Sequence, residues 1–116
     1  MSVVLLVDDE PDMGQLVELS LAGLGPTVIQ ARNGREALEL ARTASPNLVL
    51  LDLSLEGEDG LALLPRLHEV LDGIPCIAFS VHDSRAAEAK RSGAVGFVAK
   101  PFRADTLREA IEAHLA

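Results

Sequence analysis

The chain has 116 residues, 48% of them apolar, but its only aromatics are Phe79, Phe97 and Phe102, so it has room for one domain whose core is Leu, Val, Ile and Ala. Eighteen acidic against ten basic residues give a formal charge of −8, which argues against a nucleic-acid-binding face and against anionic membrane surfaces. No apolar run reaches the length of a membrane span, no secretory signal opens the chain, and Cys76 stands alone, so the expectation is a cytoplasmic domain over residues 1–116 without disulfides or a cysteine metal site.

Val3 to Val7 is an apolar run that ends in Asp8-Asp9-Glu10. Runs of this kind read as parallel strands buried on both faces. Pro11 suits the first turn of a helix. Met13, Leu16, Val17, Ser20, Leu21 and Leu24 follow at helical spacing until Gly25-Pro26 stops the pattern. Thr27 to Ala31 is a second strand. Asn33 and Glu36 have the spacing of a capping box, opening a helix with Ala37, Leu38 and Ala41 inward. The central strand, in the run Asn47 to Asp52, then repeats the design of the first, ending in a carboxylate. The loop from Leu53 to Gly60 reads as polar and flexible, and the next helix faces inward through Leu61, Leu64, Leu67 and Leu71, with Pro65 removing one backbone donor. Ile74 to Ser80 is a fourth strand. Ser84 to Arg91 is the weakest helix, anchored only by Ala86, Ala87 and Ala89, and is expected to be the most mobile. Val95 to Ala99 is a fifth strand, followed by Lys100-Pro101 and a helix carrying Leu107, Ala110, Ile111 and Leu115.

Five strands alternating with five helices imply an α/β, doubly wound, five-stranded parallel sheet of flavodoxin-like type, with strand order 2-1-3-4-5. That order gathers Asp8, Asp9, Asp52, Ser80 and Lys100 at one sheet edge. Crowded carboxylates repel one another, and a hard divalent cation such as Mg²⁺ relieves them. Lys100 adds an ammonium and Ser80 a hydroxyl donor, a set suited to a phosphoryl group. A carboxylate is a competent phosphoryl acceptor, and Asp52 on the central strand is the candidate.

Val7-Asp8-Asp9-Glu10, Leu51-Asp52-Leu53 with Asp59-Gly60, Ser80, and Gly93-Ala94 through Phe97 to Lys100-Pro101-Phe102 together resemble the receiver domain of two-component response regulators, of the chemotaxis-regulator type, over essentially the whole chain. The resemblance implies that Asp52 takes a phosphoryl group from a histidine kinase or histidine phosphotransfer protein. It implies Mg²⁺ bound by Asp9, Asp52 and the backbone carbonyl of Ser54, with Asp8 acting through water. Lys100 would pair with the phosphoryl group, Ser80 would be the switch hydroxyl, and Phe97 the switch aromatic. The surface of the fourth helix, fifth strand and fifth helix would then change, engaging an output protein, a fused output domain or a second copy of the chain. Self-phosphorylation from small donors and autodephosphorylation would be its only chemistry.

Three positions depart from the family pattern. Glu56 replaces the usual proline, which predicts a looser loop; Phe97 lacks the hydroxyl of a tyrosine; and His82 lies at the pocket mouth, where it would alter the lifetime of the phosphorylated state. His68 and His114 read as solvated, and Cys76 as a small core residue. Among competing functions, an aspartyl-nucleophile phosphohydrolase would need a second carboxylate where Ser54 stands, and an FMN binder would not place Asp8-Asp9-Glu10 where phosphate sits. A receiver-shaped scaffold that never takes phosphate is the remaining alternative.

Overall fold

The computed structural model describes residues 2–115. Strands β1 (Val3–Val7), β2 (Thr27–Ala31), β3 (Leu48–Asp52), β4 (Cys76–Ser80) and β5 (Gly96–Ala99) alternate with helices α1 (Pro11–Ser20), α2 (Gly34–Ala44), α3 (Gly60–Val70), α4 (Ala86–Arg91) and α5 (Ala104–Glu112). The strands form one parallel sheet in the order β2-β1-β3-β4-β5. This is the expected doubly wound arrangement.

Successive strand residues point to opposite faces, and the core divides accordingly. Val4, Leu6, Leu48, Leu50, Ile77, Phe79 and Val98 meet Met13 and Val17 of α1 and Leu107 and Ile111 of α5. Leu5, Val7, Val49, Leu51, Cys76 and Ala78 meet α2 through Ala37, Leu38 and Ala41, and α3 through Leu61, Leu63, Leu64 and Leu67. The inner strands β1, β3 and β4 are apolar up to the terminal Asp52 and Ser80 because both of their faces are covered. Burial pushes the Cys76 thiol up to about 12, so it is an inert core residue.

Several boundaries differ from the sequence reading. Helix α1 stops at Ser20, because the chain turns through Gly23 at φ +86°, although Leu21 stays buried. Asn33 caps α2 by accepting from the Glu36 N–H, but Glu36 returns its bond to the N–H of Arg32 instead of Asn33. The fourth strand pairs from Cys76 and the fifth from Gly96, two residues and one residue later than expected. The weak helix divides into a 3₁₀ turn, Asp83–Arg85, and α4; Ala89 alone is buried, Ala86 is half-buried and Ala87 exposed. The loop after β3 is less polar than it reads, since Leu53 and Leu55 are both buried in the α2–α3 face of the core.

Candidate functional site

Register builds the site. Val7 of β1 lies beside Leu51 of β3, so the residues that follow them, Asp8 and Asp52, leave the sheet side by side. Asp52 itself pairs with Phe79, and the Lys100 N–H donates to the Ser80 carbonyl at 2.8 Å, which continues the ladder to the same edge. Three strand ends use one device. The Asp8 carboxylate accepts from the Glu10 N–H (2.8 Å), Asp52 from the Ser54 N–H (2.9 Å) and the Ser80 hydroxyl from the His82 N–H (3.0 Å). Each side chain thereby satisfies a donor two residues on and turns the chain out of the sheet.

The remaining oxygens of Asp8 and Asp52 share one cation. Lys100 Nζ lies 3.2 Å from Asp8 Oδ2 and 3.3 Å from Asp52 Oδ2, and 4.9 Å from the centre of the Phe79 ring. Asp8, Asp52 and Ser80 are all buried. Burial pulls the Lys100 ammonium down, but the charges of Asp52 and Asp8 outweigh it and hold its pKa above the usual lysine range. Burial, reinforced by the Asp52 charge, raises the Asp8 carboxyl against the opposing pull of the Glu10 N–H and Lys100. Asp9 is half-buried and completes the cluster: one carboxylate oxygen from each of Asp8, Asp9 and Asp52 lies within 4.8 Å of the others. A single ammonium against three carboxylates leaves an excess of negative charge, and the donors are all hard oxygens. That set fits Mg²⁺ in character and in number, since this ion takes few protein carboxylates and retains water.

Glu56 does not loosen its loop in the way expected. Its backbone N–H, a donor that proline lacks, bonds Asp9 Oδ2 at 2.8 Å and ties the loop to the acidic cluster. Gly60 is where this loop folds back on the strand; a Cβ there would lie 2.5 Å from the Asp52 carbonyl oxygen and 2.6 Å from Leu53 Cα. Phe97 is half-buried on β5 against the α2–α3 side of the core. The His82 residue is exposed. His68 is only partly solvated, since the residue is half-buried and its Nε2 lies 3.2 Å from the Gly93 carbonyl oxygen. His114 is exposed just beyond α5.

Two contributors to the site escaped the sequence reading. Gln30 Nε2 donates to the carbonyls of Asp8 (2.8 Å) and Glu10 (2.9 Å), bracing the turn that presents Asp9. Arg85 donates to the Leu53 carbonyl and to Asp59. Neither residue belongs to a recognisable motif.

With this geometry in place, the sequence profile of the response regulator receiver domain matches residues 4–112. The chain belongs to the response regulator receiver family. It is 32% identical to sporulation initiation phosphotransferase F of Bacillus subtilis (strain 168), covering 97% of this chain and 92% of that protein. It is 40% identical to the positive alginate biosynthesis regulatory protein of Pseudomonas aeruginosa, over 94% of this chain and 45% of the relative. The transcriptional regulatory protein GlrR of Escherichia coli (strain K12) is 34% identical, and this receiver spans 25% of its length. Among solved structures, the receiver domain of NtrX from Brucella abortus superposes with a TM-score of 0.88 at 37% identity, covering 97% of both chains. The Vibrio cholerae chemotaxis protein CheY4 gives 0.88 at 28% identity over 99% of both. No helix among the described residues is long and apolar enough to cross a membrane.

Proposed function

We propose that the receiver domain, occupying residues 1–116, is a phosphorylation-activated switch in which Asp52 accepts a phosphoryl group from a histidine kinase or histidine phosphotransfer protein. The observation that carries this reading is the bridging of buried Asp8 and Asp52 by Lys100 beside a third carboxylate. An Asp52 oxygen bonds to phosphorus as the bond from phosphorus to the donor's imidazole nitrogen breaks. Asp9, Asp52 and the Ser54 carbonyl are the residues that would hold Mg²⁺, with Asp8 acting through water. When bound, the ion supplies positive charge against the phosphoryl oxygens.

Lys100 is already desolvated and paired, so it meets a phosphoryl group of about −1.5 to −2, which replaces the carboxylate's single charge, with little reorganisation. Ser80 gives up the His82 N–H and turns its hydroxyl to the phosphoryl group, and Phe97 moves inward against the core. The α4-β5-α5 surface changes as a result. Carrying a switch from almost fully off to almost fully on takes about 5.5 kcal/mol of differential stabilisation. Two charge-assisted hydrogen bonds of roughly 1.5–3 kcal/mol each are of that size. The altered face serves an output protein, a fused output domain or a second copy of the chain, in the cytoplasm. Beyond taking phosphate from small donors and releasing it to water, the domain turns over no substrate.

Incubation with acetyl phosphate in Mg²⁺ should add one phosphoryl group by intact mass. EDTA and Asp52→Asn should each abolish the adduct. Labelling that is indifferent to both would remove Asp52 and the metal from the reaction, and no labelling under donor excess would favour a scaffold that works without phosphate.

A further inference from the structure

The segment from Leu53 to Asp59 contains no proline, has Gly57 at φ +77°, and is exposed at Ser54 and from Glu56 onward. Its own composition does not make it rigid, so what fixes it comes from outside. The Glu56 N–H reaches Asp9, and Glu58 Oε1 accepts from the Gly34 N–H at 3.0 Å. Both ends of the segment are held by one side chain. Arg85, in the 3₁₀ turn that opens α4, donates through Nη1 to the Leu53 carbonyl at 3.2 Å and through Nη2 to Asp59 Oδ1 at 2.8 Å.

Two features give this grip leverage on the acceptor. The guanidinium is a rigid fork, so holding two acceptors fixes the distance between them. The Leu53 carbonyl and the Ser54 N–H belong to a single planar peptide unit. Arg85 and the Gly60 N–H hold one edge of that plane (3.2 and 3.1 Å), and its other edge donates to Asp52 Oδ1 at 2.9 Å. The orientation of Arg85 is therefore passed through one stiff unit to the carboxylate. Asp59 meanwhile caps α3 by accepting from the Leu61 N–H at 3.0 Å, so the same contact anchors the far end of the loop.

We propose that Arg85 is a positioning residue for the acceptor loop: a staple that sets where the Asp52 carboxylate and the Ser54 carbonyl stand toward the metal, and that ties this loop to the start of α4. The proposal rests on the assignment of Asp52 and Ser54 given above. Such coupling is reciprocal. A change at Asp52 that turns the 53–54 peptide loosens Arg85, and a partner that draws the start of α4 away loosens the loop. The ordinary alternative is a partly exposed ion pair without consequence, the usual fate of such pairs. It differs in its effect on the peptide plane.

The test is a Mg²⁺ titration followed by amide NMR on wild type, Arg85→Ala, Arg85→Lys and Arg108→Ala, with hydrogen exchange of the Gly60 and Leu61 amides in metal-free buffer. Arg108 is the control, since its Nη1 also donates to a backbone carbonyl, that of Ala22 at 2.9 Å, in a different part of the molecule. In Arg85→Ala the affinity should fall roughly three- to tenfold, less than the ten- to hundredfold loss of a direct outer-shell partner. Exchange at Gly60 and Leu61 should rise about tenfold. Arg85→Lys, which reaches one acceptor, should fall between, and Arg108→Ala should match wild type. Unchanged affinity and exchange in Arg85→Ala, or equal losses in Arg108→Ala, overturn the staple and leave the Asp52 assignment standing. A wild-type protein that binds no Mg²⁺ overturns that assignment instead, and the exchange measurement alone then decides the staple: unchanged Gly60 and Leu61 rates refute it.

Discussion

Asp9→Asn should reverse sign with the metal. Asp9 stands within 4.8 Å of both Asp8 and Asp52 but makes no ion pair with Lys100. At an effective dielectric of 20, two charges 4.8 Å apart repel by about 3.5 kcal/mol, so the two pairs cost roughly 7 kcal/mol before screening. Asp9 is only half-buried, so solvent screening removes most of this, leaving on the order of 1 kcal/mol. Asparagine keeps an oxygen for the Glu56 N–H, so neutralisation removes repulsion without orphaning a donor. In EDTA the variant should therefore melt higher, by about 4 °C. In Mg²⁺ at a hundred times its dissociation constant, wild type should gain about 2.7 kcal/mol and the variant only a small part of that. Thermal melts of both proteins in both buffers read the effect directly. An Asp9→Asn protein that is less stable in EDTA, or that gains as much from Mg²⁺ as wild type, would refute the repulsion argument.

Other substitutions test the parts separately. Gly60→Ala pushes a methyl group into the Asp52–Leu53 backbone and should cost about 1–3 kcal/mol in urea unfolding; a midpoint unchanged from wild type would mean the loop relaxes freely. Lys100→Ala strips the buried carboxylates of their shared cation, so it should be destabilised in EDTA and largely rescued by Mg²⁺. It should still be labelled at Asp52, but with smaller amide shift changes in α4 and β5; a full response would remove Lys100 from the switch. The hydrogen bond from Arg85 holds the Asp59 carboxyl below its ordinary value of 3.8. A depressed acid stabilises the fold above its unfolded pKa, and that contribution fades as pH falls through the folded value. Carboxyl NMR should accordingly show Asp59 titrating lower in wild type than in Arg85→Ala.

The sheet was legible because a parallel strand covered on both faces must be apolar at every position, and β1, β3 and β4 announce themselves by that alone. Where the runs break, a carboxylate or hydroxyl marks the sheet edge, and strand order then places Asp8 beside Asp52 without further information. The contacts that brace the site were not legible, since they join side chains to backbone or carboxylate groups of distant segments. Arg85 carries no signal beyond its place in a weak helix; its partners are a carbonyl 32 residues away and a carboxylate 26 residues away. Glu56 read as the loss of a rigid residue, yet the N–H that came with it reaches Asp9. His68 read as solvated because nothing in α3 signals that Gly93, at φ +112°, leaves space for an imidazole; a Cβ there would lie 2.5 Å from His68 Nε2. Leu53 and Leu55 sit in a loop by sequence but are buried in the core. In each case the missing quantity is the distance between segments far apart in the chain, which no periodicity encodes.

The most direct measurement is to locate the modified residue. Protein treated with acetyl phosphate and Mg²⁺ is reduced with borohydride, which converts an acyl phosphate to the alcohol, and is then digested and sequenced by mass spectrometry. Homoserine is expected at position 52 and at no other acidic position. Conversion at Asp8 or Asp9 with Asp52 intact, or no conversion anywhere, would contradict it.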